Sequence, residues 1–156
     1  VSNISFNLPY RKILNQSFTV LAMKAGLDSA IFDPLNRALM GLIASTEALM
    51  ANGEVTKDQD LAPIAEKLAE EDRKYLYPAY VALAMKAGII APEVDEEYEE
   101  RDIEGLFEEL KGGVDPEFGE RDFIGLLFAT DAMLGNDDFC MAYVGAFRDE
   151  MFGPQK

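Results

Sequence analysis

Between Pro9 and Gly53 the chain is cut into apolar stretches of helical spacing by residues that stop helices. Tyr10, Ile13, Leu14, Phe18 and Leu21 recur three and four residues apart, the period of an amphipathic helix. Asn7 suits the cap of that helix, Pro9 its first turn, and Gly26 after Lys24 and Ala25 its stop. Before it, Val1 to Phe6 reads as a strand end running into a loop. After it, Asp28 to Phe32 is short, apolar and β-branched at Ile31, which predicts a strand. Asp33-Pro34 then predicts a second helix, with an aspartate cap, a proline in the first turn, and Leu35, Ala38, Leu39, Leu42, Ile43 and Leu49 on one face. Asn52-Gly53 ends it. Strand, helix, strand, helix at this spacing is the pattern of a parallel βα unit with a right-handed crossover.

The remainder is expected to be helical. Thr56 and Gln59 suit a capping box before a helix over 61–74. Further helices are expected over 78–87, 101–111, 120–134 and 138–151, the last with Phe139, Ala142, Tyr143, Ala146 and Phe147 facing inward. Ile89-Ile90-Ala91-Pro92 reads as a short extended piece or turn. Internal repetition is present. Leu21-Ala22-Met23-Lys24-Ala25-Gly26 returns unchanged as Leu83-Ala84-Met85-Lys86-Ala87-Gly88. Arginine followed by Gly-Leu occurs at Arg37/Gly41/Leu42, Arg101/Gly105/Leu106 and Arg121/Gly125/Leu126. Gly41 to Met50 also parallels Gly125 to Leu134. The copies are unevenly spaced, which fits segment duplication or chimeric assembly rather than a solenoid.

Composition then removes chemistries. The 156 residues suffice for one domain with a real core, since 49% are hydrophobic. There is no histidine and one cysteine, Cys140, so Ser-His and Cys-His catalysis, cysteine zinc cages and internal disulfides are excluded. Fourteen basic residues face twenty-nine acidic ones, a net charge of −15. Nearly all of that excess lies in residues 54–122, so nucleic acid is a poor partner. The acidic block, Glu96, Glu97, Glu99 and Glu100 included, lacks the glycine-punctuated spacing of a calcium loop and reads as solvated surface. No apolar run is long enough for a membrane span, and no secretory leader is apparent, so a cytoplasmic location is expected. The chain opens on Val1 rather than Met, as a fragment or processed product would. No GxGxxG or Walker glycine pattern is present. Cys140 sits beside Asp137 and Asp138, an environment for a small core residue rather than a reactive thiol. The methionines read as core filling.

Ser2-Asn3-Ile4-Ser5-Phe6, Leu8-Pro9, Arg11, Leu14-Asn15, Ala25 to Ile31 and Asp33-Pro34 together resemble the last quarter of a methyltetrahydrofolate–corrinoid methyltransferase. The tail, with Asp138-Phe139-Cys140 and Phe152-Gly153-Pro154, is similar to that family's C-terminus. Joining Arg37 to Asp122 gives an uninterrupted family-like ending. Residues 1–37 and 122–156 therefore read as a barrel-like segment and residues 38–121 as an acidic helical insert. The resemblance implies an α/β fold, strongly α-rich, in which a strand-helix-strand-helix remnant of a pterin-binding (β/α)8 barrel carries a mainly helical insert.

It also implies a function, the transfer of a methyl group from methyltetrahydrofolate to the cobalt of a corrinoid held by a partner protein. Asn3 would be the catalytic asparagine that hydrogen-bonds the methyl-bearing pterin nitrogen. Ser2 would lie beside it against the pterin, and Ile31 would pack on the ring. A neutral amide suits that task because it can donate or accept as the amine changes charge. The metal belongs to the partner, so no metal site is expected in this chain. The family's earlier strands are missing from these residues, and one strand plus a stub cannot close a barrel. A complete pocket therefore needs further strands, and open apolar faces invite self-association. The alternative is a non-enzymatic helical scaffold, chimeric or designed, or a module that docks on a partner.

Overall fold

Apolar spacing of three and four dominates the chain, and helices dominate the computed structural model, which describes residues 2–56, 59–87 and 118–155. The α-helices are α1 (Arg11–Lys24), α2 (Arg37–Met50), a single turn α3 (Ala62–Ala65), α4 (Leu76–Lys86), α5 (Glu120–Leu134) and α6 (Met141–Arg148). Short 3-10 turns cover Ser2–Ser5, Glu70–Tyr75 and Asp138–Cys140. No β-strand forms among the described residues. The helix expected over 101–111, the extended piece at 89–92 and the glutamates from Glu96 to Glu100 lie outside them.

Helix α4 is the centre. Its sequence has no polar face, and nine of its residues, among them Tyr77, Tyr80 and Leu83, are buried. A helix apolar all round must be covered all round. Helices α1, α2 and α5 provide that cover. The Tyr80 hydroxyl is satisfied by the Thr56 carbonyl. A second cluster gathers at the C-terminus, where the buried Phe152 ring lies 5.0 Å from Tyr143, 5.8 Å from Phe147 and 6.1 Å from Phe128. The Tyr143 hydroxyl donates to a carbonyl pair, Pro9 at 3.0 Å and Tyr10 at 3.1 Å, and fastens α6 to the entry of α1.

Several local expectations are corrected. The opening residues form a 3-10 turn rather than a strand end, because Ser5 is drawn inward by Asn15 and Arg11. Helix α1 begins at Arg11, and Asn7 and Tyr10 both take positive φ (64° and 47°), so the chain turns twice before the helix instead of capping it at Asn7. Its end is as expected. Gly26 adopts φ 101° while Leu27 N–H returns to the Ala22 carbonyl at 2.9 Å. Helix α2 is capped by Asn36, whose side chain accepts from Leu39 N–H at 3.1 Å. Asp33 instead closes a local turn by accepting from Leu35 N–H at 2.9 Å.

The expected helix over 61–74 breaks, because Ala69 is extended (ψ 144°) and turns the chain toward α4. The N-cap of α3 is Leu61, without a side-chain cap, and Asp60 just before it accepts from Ala62 N–H at 3.0 Å. The last helix is also interrupted. The Asp137 carboxylate accepts from Ala142 N–H (2.9 Å) and Tyr143 N–H (2.8 Å), and that reach is made through left-handed backbone at Phe139 and Cys140. Phe139, expected inside, is therefore 95% exposed, and Ala142 is exposed as well.

Residues 27–33 carry neither helix nor strand. A strand is a paired structure, and the extended form expected of 28–32 has no ladder to join among the described residues. The path of this segment is nonetheless defined. Phe6, Arg11 and Asn15 line a cleft with Asn36, Ala38 and Leu39, so the start of α2 lies beside the start of α1. The chain leaves α1 at its far end and travels back along the helix, roughly 20 Å for fourteen residues. Helices α1 and α2 thus begin at the same end of the fold, joined by a return segment that is neither helix nor strand.

Candidate functional site

The opening turn is built on α1. Asn15 lies one helical turn after Arg11, so both side chains rise from one face. The Ser5 hydroxyl donates to Asn15 Oδ1 at 2.7 Å and accepts from Arg11 Nε at 3.1 Å. The Arg11 guanidinium also lies over the Phe6 ring, 4.9 Å from its centre. These contacts hold the 3-10 turn against the helix, and the Phe6 N–H to Asn3 carbonyl bond at 3.4 Å closes it.

That turn presents Asn3 to solvent. An exposed carboxamide offers two donors and an acceptor to a ligand. Ser2 precedes it in the same turn. Ile31 lies on the return segment and is 92% exposed. Neither Asn3 nor Ile31 lines the cleft next to the opening turn. That cleft, about 390 Å³, is walled instead by Phe6, Arg11 and Asn15 and by the first residues of α2. The residues that shape the surroundings of Asn3 are therefore Ser5, Arg11 and Asn15. Their signal in the sequence was the four-residue spacing of Arg11 and Asn15, which places both on one helix face beside the apolar Ile13 and Leu14.

A second cleft of about 300 Å³ adjoins the first, and Lys12 and Gln16 border both. No cluster of three metal-binding side chains forms among the described residues, and none of the described helices is long and apolar enough to cross a membrane. Burial and the neighbouring Asp137 carboxylate push the Cys140 thiol above its ordinary pKa, so it is a poor nucleophile. Burial likewise holds Tyr143 well above the usual tyrosine range, as its hydrogen-bond donor role requires.

No family model matches this chain. No solved structure matches it. Over 57 residues, 36% of this chain, it is 49% identical to the methylcorrinoid:tetrahydrofolate methyltransferase of Eubacterium limosum. Those residues make up 21% of that protein, so the match spans about a fifth of the relative's length. Across that stretch the chain is related to a methyltransferase.

Proposed function

We propose that this chain is the pterin-binding portion of a methyltransferase that moves a methyl group between tetrahydrofolate and the cobalt of a corrinoid on a partner protein. The observation that carries the reading is the 57-residue stretch at 49% identity. The return of residues 25–36 along α1 supports it, because the start of α2 comes back beside the start of α1 as a βα barrel requires. In this reading segments 1–6 and 28–32 become strands beside the remaining strands of a (β/α)8 barrel, and Ile31 covers its apolar surface with the pterin ring.

Each residue has a task. Asn3, exposed on its turn, holds a hydrogen bond to the pterin nitrogen that gains or loses the methyl group, accepting while the nitrogen is protonated and donating while it is neutral. Ser2 lies against the pterin beside it. The corrinoid cobalt, when the partner presents it, supplies the second methyl-carrying centre. This chain has no histidine, hence no imidazole to offer that metal. The relative's name puts the methylcorrinoid first and tetrahydrofolate second. A hydrogen bond at the pterin nitrogen serves both directions, because forward and reverse transfer share one transition state.

The test is thermal unfolding of the chain with methyltetrahydrofolate. Ligand at a hundredfold excess over its dissociation constant stabilises by roughly 2.7 kcal/mol through mass action, so a raised Tm is expected, and Asn3→Ala should abolish the rise. No rise at millimolar ligand would leave the scaffold reading standing for the chain on its own.

A further inference from the structure

Helices α1, α2 and α5 all begin beside the 300 Å³ cleft, to which they contribute Lys12, Ala38 and Asp122 from their first turns. Each helix start brings partial positive charge to that side of the fold, and the α2 start is capped by Asn36. The 3-10 turn before α4 adds Lys74 and Tyr75. The two lysines are alike in setting. Lys12 Nζ lies 5.7 Å from the centre of the Tyr10 ring, and Lys74 Nζ lies 5.3 Å from that of Tyr75. Both ring-and-ammonium pairs face the same cleft.

In a chain with twice as many acidic as basic residues, lysines are expected to find carboxylates. Lys12 and Lys74 pair with none among the described residues. Asp122 is the carboxylate on the cleft, and its Oδ2 accepts the Gly119 amide at 3.3 Å. The floor is apolar, formed by the buried Ile13 and Leu126, and Phe118 adds a third ring. The Gln16 amide stands on the rim.

We propose that this cleft binds a small aromatic carboxylate, its ring on the apolar floor among Tyr10, Tyr75 and Phe118 and its carboxylate between Lys12 and Lys74. Asn3 does not line this cleft, and the proposal does not rest on the methyltransferase reading. A ring without charge leaves the ammonium groups unanswered, and an anion without a ring leaves the apolar floor to water.

Calorimetric titration of the full chain with 4-aminobenzoate tests this. Saturable binding is expected, weakened about tenfold by Lys12→Met or Lys74→Met, the loss of one charge-assisted contact. Raising salt from about 0.1 M to about 1 M shortens the screening length from about 10 Å to about 3 Å and should weaken binding further. Inorganic phosphate and aniline, each with half of the required chemistry, should bind far more weakly, and Asn3→Ala should bind 4-aminobenzoate unchanged. Both lysines are exposed, so their variants keep the fold, which an unchanged Tm without ligand verifies. Equal binding of phosphate, lysine variants that bind like the parent, or loss of binding in Asn3→Ala would each overturn the proposal.

Discussion

Helices α2 and α5 open on the same pattern, an arginine four residues before Gly-Leu, and continue as GLIASTEALM and GLLFATDAML. Their surroundings differ. Arg37 pairs with side chains, Glu71 Oε1 at 3.0 Å and Asp72 Oδ1 at 3.7 Å, whereas Arg121 donates to backbone carbonyls, Glu150 at 2.5 Å and Gly153 at 3.2 Å. In α2 the Ser45 hydroxyl donates to the Asp72 carbonyl, and α5 has Ala129 at that place. Glu47 of α2 is exposed, while its counterpart Asp131 in α5 is buried. Similar sequences fix the same helix. What each helix is laid against, the 3-10 turn at 70–75 or the C-terminal tail, then decides how much of it leaves water.

The largest test of that contrast is Phe152→Ala. It removes the ring that covers α5 and should cost about 3–5 kcal/mol, read from urea unfolding. Tyr75→Ala, over α2, should cost clearly less because that ring is only half-buried. Equal losses would mean that the tail does not set α5 apart. Next come the paired glycines. A Cβ on Gly41 would meet Tyr75 Cδ2 at 2.2 Å, a severe overlap, whereas one on Gly125 meets Ile13 Cδ1 at 3.0 Å and Phe152 Cβ at 3.2 Å, gaps a few tenths of an ångström short of ordinary contact. Gly41→Ala should therefore destabilise by about 2 kcal/mol and Gly125→Ala by about 1 kcal/mol, with the order as the decisive result. The smallest effects belong to the arginines. Arg121→Ala should lose about 1 kcal/mol at any salt concentration, because neutral carbonyls receive its bonds. Arg37→Ala should lose less than about 0.5 kcal/mol, fading in high salt, as exposed ion pairs do.

Much of the fold could be read from residue order. The Gly26 stop and the bounds of α5 over 120–134 follow from apolar spacing and glycine chemistry alone. Errors arose where one polar group could serve two places. Asp33 and Asn36 both suit a cap, and only the packing of Leu39 decides for Asn36. Asp137 reaches past Phe139 to two amides of α6, and no periodicity reveals that reach. The site was less legible than the fold. Asn3 and Ile31 came from resemblance, while Lys12, Gln16, Lys74 and Tyr75 meet only through tertiary packing. The repeated Leu-Ala-Met-Lys-Ala makes the same point. Both copies end a helix with the alanine N–H on the leucine carbonyl at 2.9 Å, yet Met85 is buried and Met23 only partly so.

The single hydroxyl of Tyr143 meets carbonyls 133 and 134 positions earlier in the chain. The chain between those points is a circuit that this hydroxyl helps to close, together with the Tyr10 ring against Phe147 and Phe152. The entropy of closing such a circuit rises only logarithmically with its contour, about 0.6 kcal/mol for each doubling. Segments can lengthen or shorten inside the circuit at small thermodynamic cost, provided that the hydroxyl still finds its two oxygens.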